Sequence, residues 1–213
     1  MNIFYKALAV SFGVLLPLLA NAAVITNGDF ETGDLSGWTS FVTSNGVTSP
    51  RVSEFSVNGL TRTYAAQFQV GEDDFTSLPE GGGISQMFNA SQGVFNISAE
   101  IATLSPGEFP NGDAGAFSLI LDGVVISTYN FGFINPDEIL RGKLNYSGML
   151  TEGVHELVIL VTRSYQAGSS TPFQYVDNVQ VQAAAEAIPE PATVALFAIG
   201  LFGVASFKRR FQR

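Results

Sequence analysis

The sequence predicts an all-β body, an antiparallel sandwich of about ten strands, set between two apolar ends that serve for transport. Three observations lead there. Between about residues 23 and 187 no stretch sustains helical periodicity with caps; short apolar and β-branched runs alternate with turn signals. About ten such runs fit into some 165 residues, the strand density of an antiparallel sandwich. Composition then divides the chain. Both ends are apolar with basic flanks, whereas the middle holds 18 Asp+Glu against 5 Lys+Arg, a net of −13. A body of this length buries a core without disulfides, and the chain contains no Cys.

Taken in order, residues 1–22 read as a secretory signal peptide. Lys6 supplies the positive start, Ala7 to Ala20 the apolar stretch, and Ala20-Asn21-Ala22 the small-residue cleavage site. A short N-terminal membrane anchor is the alternative, but the run is short and carries Pro17. The body follows at residues 23–183. Val24-Ile25-Thr26 predicts a short strand before Asn27-Gly28, followed by strands at Arg51 to Val57 and Thr63 to Val70. Gly81-Gly82-Gly83 reads as a flexible link into a strand at Ile84 to Phe88. Val94 to Leu104 alternates, with Phe95, Ile97, Ala99 and Ile101 facing one way. Phe117 to Leu121, Asp122-Gly123 and Val124 to Ile126 predict a tight hairpin, because Asp-Gly favours a type I′ turn. Lys143 to Leu150 and Val154 to Thr162 add two strands. The second is apolar on both faces, which predicts a central strand covered on each side. Phe173 to Val181 closes the set. Gly71 to Gly83 and Phe131 to Ile139 are the longest pieces without strand character, and both are acidic.

Residues 184–188 form a linker, and 189–213 a second transport segment. Pro189-Glu190-Pro191 precedes an apolar run at 192–207, and Lys208, Arg209 and Arg210 open a basic end. As a helix the run spans ~24 Å, slightly under a ~30 Å hydrocarbon core. Snorkelling basic side chains make up part of the shortfall and hold the tail on the cytoplasmic side. An ordinary tail anchor is the bland alternative.

Composition also excludes function classes. The acidic balance argues against nucleic acid as a partner. Without Cys there is no thiolate metal site or thiol nucleophile. His155 is the one histidine; beside Glu156 it reads as a satisfied strand-end residue rather than a general base. No catalytic residue is therefore assigned, and the chain reads as a non-enzyme. Trp38 is the one tryptophan and reads as core. Sugar stacking needs exposed rings, and Phe109, Phe131, Phe133, Tyr165 and Phe173 are the loop candidates; the sequence assigns the carbohydrate-binding role to none of them.

Two resemblances add to this reading. Pro189-Glu190-Pro191, the apolar run and the terminal basic cluster resemble the PEP-CTERM sorting signal of bacteria, covering about 26 residues. That resemblance implies recognition in the inner membrane by an exosortase-type enzyme and delivery to the cell surface or extracellular matrix. Asn27-Gly28-Asp29-Phe30-Glu31, Gly33, Gly37-Trp38 and the closing Tyr175-Val176-Asp177-Asn178-Val179 resemble the edges of jelly-roll carbohydrate-binding modules of families four, nine and twenty-two. This implies a jelly roll whose first and last strands lie side by side. It also implies a structural Ca²⁺ held by Glu31 and Asp177 side chains and the Asp29 carbonyl, with the remaining ligands unassigned. The functional expectation is an exported envelope or matrix protein that binds polysaccharide. A purely structural envelope protein and a polysaccharide hydrolase working through paired carboxylates are the alternatives.

Overall fold

A computed structural model describes residues 25–44, 50–60, 63–72, 79–168 and 170–184. The signal peptide with Ala20 and Ala22, the linker beyond Ala184, and residues 189–213 with Pro189, Glu190, Pro191, Lys208, Arg209 and Arg210 lie outside them. Among the described residues no helix is long and apolar enough to cross a membrane; the run 192–207 is not among them.

Among the described residues the body is ten antiparallel strands in two sheets. They are β1 (Thr39–Val42), β2 (Arg51–Phe55), β3 (Thr63–Phe68), β4 (Glu80–Ala90), β5 (Gly93–Leu104), β6 (Ala116–Leu121), β7 (Val124–Asn130), β8 (Ile139–Leu150), β9 (Gly153–Arg163) and β10 (Phe173–Ala183). Sheet A has the order β1-β4-β9-β6-β7, and sheet B the order β2-β3-β10-β5-β8. The chain passes from one sheet to the other at every connection except β2–β3 and β6–β7, the crossing pattern of a jelly roll.

Period-two alternation builds the core. Phe95, Ile97, Ala99 and Ile101 of β5 point inward, as do Leu157, Ile159 and Val161 of β9 and Phe117, Leu119 and Leu121 of β6. Trp38 joins this core, packs 5.8 Å from Phe30, and donates its indole N–H to the Asn27 carbonyl. Asp122 and Gly123 both take positive φ (50° and 78°), as a type I′ turn demands, and the hairpin forms where the sequence places it.

Four expectations need correction. The first and last strands do not lie side by side: β1 pairs with β4 in sheet A, whereas β10 lies between β3 and β5 in sheet B. Ile25-Thr26 is not a strand, because its backbone is held by the Gln86 side chain: Thr26 N–H donates to Oε1 (2.6 Å) and Nε2 donates to the Thr26 carbonyl (2.9 Å). The tenth strand is instead β1, too short and too polar to read from pattern. Gly81-Gly82-Gly83 lies inside β4 rather than in a flexible link. The Phe41 ring lies across Gly83, where a Cβ would sit 2.3 Å from it. Finally, β9 is central in sheet A, but only its core side is covered; Val154 on its other side is 60% exposed.

Two polar ties close the ends of sheet A. Fully buried Arg163 donates through Nε to the Asp113 carbonyl and through Nη1 to the Gly71 carbonyl (2.5 Å), opposite buried Glu80 on β4. At the other end, His155 Nδ1 meets Asp122 Oδ2 (2.7 Å) and Nε2 meets the Thr151 carbonyl (3.0 Å). Both ring nitrogens face acceptors, which suits the doubly protonated ring. The Asp122 bond and the Thr151 carbonyl raise the His155 pKa against the opposing effect of burial. For Asp122, desolvation raises the pKa, but bonds from His155 and the Glu156 N–H outweigh it and leave the pKa lowered. A raised histidine pKa stabilises fully below its unfolded value of 6.5 and fades as pH rises through the folded value. The pair is therefore expected to contribute about 1 kcal/mol at pH 5.5, a small figure because water screens the exposed Asp122. Thermal melts of the parent and His155→Gln should differ at pH 5.5 and converge by pH 9; a difference independent of pH would refute the tie.

Candidate functional site

Three regions carry candidate chemistry, the first where the two chain ends of the body meet. Asn27 and Phe30 hold positive φ (51° and 54°), which bends this segment tightly against the β10 bulge. Val179 N–H donates to the Gly28 carbonyl (2.8 Å). A Cβ at Gly28 would lie 2.2 Å from the Val179 oxygen, so only glycine permits this approach.

That bend sends Glu31 toward β3, where its Oε1 accepts the Tyr64 N–H (3.0 Å). One residue earlier, Thr63 Oγ1 donates to Asp177 Oδ2 (3.1 Å), while Asp177 Oδ1 accepts the Asn178 N–H (2.7 Å). Glu31 and Asp177 thus reach consecutive residues of one strand. The expected Asp29 ligand is its carbonyl; its carboxylate points elsewhere. It is exposed and accepts the Glu31 N–H (3.4 Å), and Asp29 lines a small polar hollow with Asn178 and Gln180.

Sequence reasoning missed Glu100. It sits directly across from Asp177 in the β5–β10 register and accepts the Asn178 amide (2.8 Å). Its alternation with inward Ala99 and Ile101 was the available signal, because it puts Glu100 on the outer face. Asp177 is 1% exposed. Burial, then repulsion from Glu100 and Glu31, raises its pKa to about 6 against the lowering effect of the Asn178 N–H and Thr63 hydroxyl. The donors are hard oxygens of the kind Ca²⁺ takes. Among the described residues, however, no three acidic or histidine side chains converge to hold an ion by themselves. A bound ion here would draw on Asp177 and Glu31 and complete its shell from carbonyls or water.

The outer face of sheet B is the second region. Phe55 stacks on Tyr175 with centroids 3.7 Å apart and planes within 4°, and Phe173 and Leu104 flank them. Gln67 donates to the Tyr175 hydroxyl (2.9 Å) and accepts from Arg51 (2.6 Å). This aromatic face is roofed by the chain itself. Residues 56–60 leave β2 and fold across it: Val57 is buried against Ala65, Ala102 and Tyr175, and Arg141 of β8 holds the Ser56 carbonyl (3.3 Å). What stays open is a shallow hollow at the other end of the same face, floored by Asn96, Ser98, Asn145, Gln180 and Gln182, with Lys143 at its side.

The third region is the end of the sandwich where the β5–β6, β7–β8 and β9–β10 loops meet. Asn111 exchanges backbone bonds with Ile134 (2.9 Å each way), and its side-chain amide donates to the Ser170 carbonyl (3.0 Å). Asp113 supports the cluster, accepting the Gly115 N–H (3.0 Å) and the Ser164 N–H (2.8 Å). Phe109, Phe133 and Tyr165 project from these three loops at 61%, 57% and 39% exposure. The other two aromatic candidates are structural: Phe131 packs edge-on against Phe117 (5.6 Å), and Phe173 packs beside Tyr175.

Several solved structures are similar to this chain. TmCBM61 in complex with β-1,4-galactotriose is 15% identical over 74% of this chain and 96% of that chain, with a TM-score of 0.47. The CBM22-1 xylan-binding domain from Paenibacillus barcinonensis Xyn10C is 16% identical over 79% and 97%, with a TM-score of 0.43. The enzymatically active domain of bacteriophage CBA120 tailspike protein 4 is 14% identical over 75% of this chain and 21% of that chain, with a TM-score of 0.48. No curated protein matches the chain. Residues 187–210 match the PEP-CTERM protein-sorting motif. The chain therefore carries a sorting signal that implies export, a C-terminal membrane anchor before sorting, and processing by an exosortase.

Proposed function

We propose that this is an exported, envelope-sorted protein whose sandwich binds extracellular polysaccharide at its loop end without catalysing a reaction, with Ca²⁺ at Asp177 and Glu31 as a structural ion. The observation that carries the reading is the set of three exposed rings, Phe109, Phe133 and Tyr165, on loops tied together by Asn111. Exposed large aromatics cost solubility unless they have a use, and ring faces stack on the C–H faces of sugars. Acidic Glu108, Asp113 and Glu138 on the same loops supply acceptors for hydroxyls and disfavour anionic polymers. After sorting, such a protein would reside at the cell surface or in the extracellular matrix.

Affinity electrophoresis through gels containing neutral polysaccharides tests the reading. Retention of the parent should fall at least ten-fold in the Phe109→Ala/Phe133→Ala/Tyr165→Ala variant, with its melt unchanged. Retention lost instead in Asn145→Ala/Gln180→Ala would move the site to the open end of sheet B and overturn the loop-end assignment. No retention of the parent on any polymer, the host's own included, would leave the purely structural envelope protein as the reading.

A further inference from the structure

The two ends of the sandwich expose apolar side chains of different kinds. Phe109, Phe133 and Tyr165 project at the loop end, and all three are rings. The opposite end holds the β4–β5, β6–β7 and β8–β9 turns. It exposes Met87, Val94, Val124, Val125, Met149 and Val154 by 42–65%, and none of these is a ring. Register gathers them there. Val94 and Met149 are direct partners across β5 and β8. Val154 faces Asn89, two residues along β4 from Met87 and on the same side of the sheet. Val124 and Val125 open β7 opposite Leu121 and Ile120.

Polar groups sit between them. The three turns supply Ser91, Gln92 and Thr151, and two acids, Asp122 and Glu152. Asp122 is tied to His155, and Glu156 lies opposite Met87. Aliphatic side chains set among short polar turns suit a surface that lies in a lipid interface, apolar groups down and polar groups among the headgroups. They do not suit a sugar, whose faces stack on rings.

Chain length decides the occupant. β10 ends at Ala183, which pairs with Phe95, and Phe95 pairs with Gly148. The chain therefore leaves the body one residue short of the Val94–Met149 pair. The sorting motif begins at residue 187 and the apolar run at 192. Residues 184–191 reach at most ~28 Å when fully extended. The loop end lies the length of β10 farther back, roughly 37 Å for its 11 residues. Before sorting, the anchor thus keeps this end of the body within reach of the bilayer and the loop end out of it. A tether this short raises the effective concentration of the two surfaces to about the millimolar range, so a contact too weak to hold a free protein becomes populated.

We propose that, while the anchor is in place, this end of the body rests on the bilayer surface, with Met149 and Val154 seated among the headgroups and the loop end pointing away. The inference rests on the anchor that the sorting motif implies. The absence of Cys allows a single label per chain. In the full chain reconstituted into phosphatidylcholine vesicles, a nitrobenzoxadiazole probe on Gln92→Cys should be quenched at least two-fold by lipids spin-labelled at the headgroup. The same probe on Glu108→Cys, at the loop end, should be almost unaffected. Adding Met149→Glu/Val154→Glu to Gln92→Cys should remove most of the quenching while the melt stays within a few degrees, because both side chains are exposed. Equal quenching at the two sites, or none at Gln92, overturns the proposal, and that comparison stands even if the double substitution fails to fold. Quenching at Gln92 that survives the double substitution in a folded chain would mean that the tether alone brings the body close, and overturns the seating of Met149 and Val154. A chain that does not float with the vesicles lacks the anchor and overturns the proposal at its base.

Discussion

Arg163→Met is expected to lower the melting temperature of the body by roughly 10 °C, the largest loss from any single substitution outside the apolar core. Removing a buried charge costs about 3–5 kcal/mol when it satisfies buried acceptors and offsets opposite charges that stay in place. In a body of this size each kcal/mol shifts the melt by roughly 2–4 °C. Arg163 is fully buried, and its guanidinium feels the Asp113 and Glu80 carboxylates; they oppose the lowering of its pKa by burial. Methionine fills most of the volume but donates nothing to the Gly71 and Asp113 carbonyls. The loss should therefore be partly, and only partly, recovered in Glu80→Gln/Arg163→Met, where the buried acid is neutralised too. Differential scanning calorimetry of the parent and the two variants measures this. A loss below about 1 kcal/mol in Arg163→Met, or no recovery in the double variant, would show that Arg163 and Glu80 are not coupled.

The second large effect concerns Asp177. Its pKa is raised from 3.8 to about 6, so the folded state binds a proton that the unfolded state has released. In chelator, stability is therefore expected to be highest at about pH 4, to fall as the pH passes through 6, and to level off above it. The total is about 3 kcal/mol for a pKa difference of about two. Other carboxylates titrate in the same range, so the quantity to read is the difference between the parent and Asp177→Asn. In chelator at pH 7.5 the variant should be the more stable. Millimolar Ca²⁺ should reverse that order by stabilising the parent alone, because a cation relieves the repulsion among Asp177, Glu31 and Glu100. At pH 4.5, with Asp177 protonated, Ca²⁺ should have little effect. Identical melts with and without Ca²⁺ at pH 7.5 would remove the ion from the proposal.

The strands were legible from residue pattern wherever one face was core. β5 alternates Phe95, Ile97, Ala99 and Ile101 inward, and the structure runs it from Gly93 to Leu104. The β6–β7 hairpin was carried by Asp122-Gly123. What the pattern concealed depended on tertiary neighbours. Three consecutive glycines look like a hinge until the ring of Phe41 and the side chain of Thr43 are placed above them. Ile25-Thr26 looks like a strand until Gln86 supplies the ladder bonds from a side chain. The both-faces-apolar pattern of β9 identified a central strand correctly, but pattern alone could not say that one face would remain open. At the site, Glu31 and Asp177 were suggested by resemblance, whereas Glu100 became visible only through the β5–β10 register.

One feature of the topology bears on how the protein is made. β10 is the last strand to emerge, yet it occupies the middle of sheet B, between β3 and β5. Until residues 173–183 arrive, the β2–β3 pair and the β5–β8 pair have no shared neighbour, and half the core lacks its wall. Such non-local pairing is slow and cannot be completed from a growing N-terminal fragment. A chain exported unfolded would therefore close sheet B only once residues 173–183 had followed the rest of the body across.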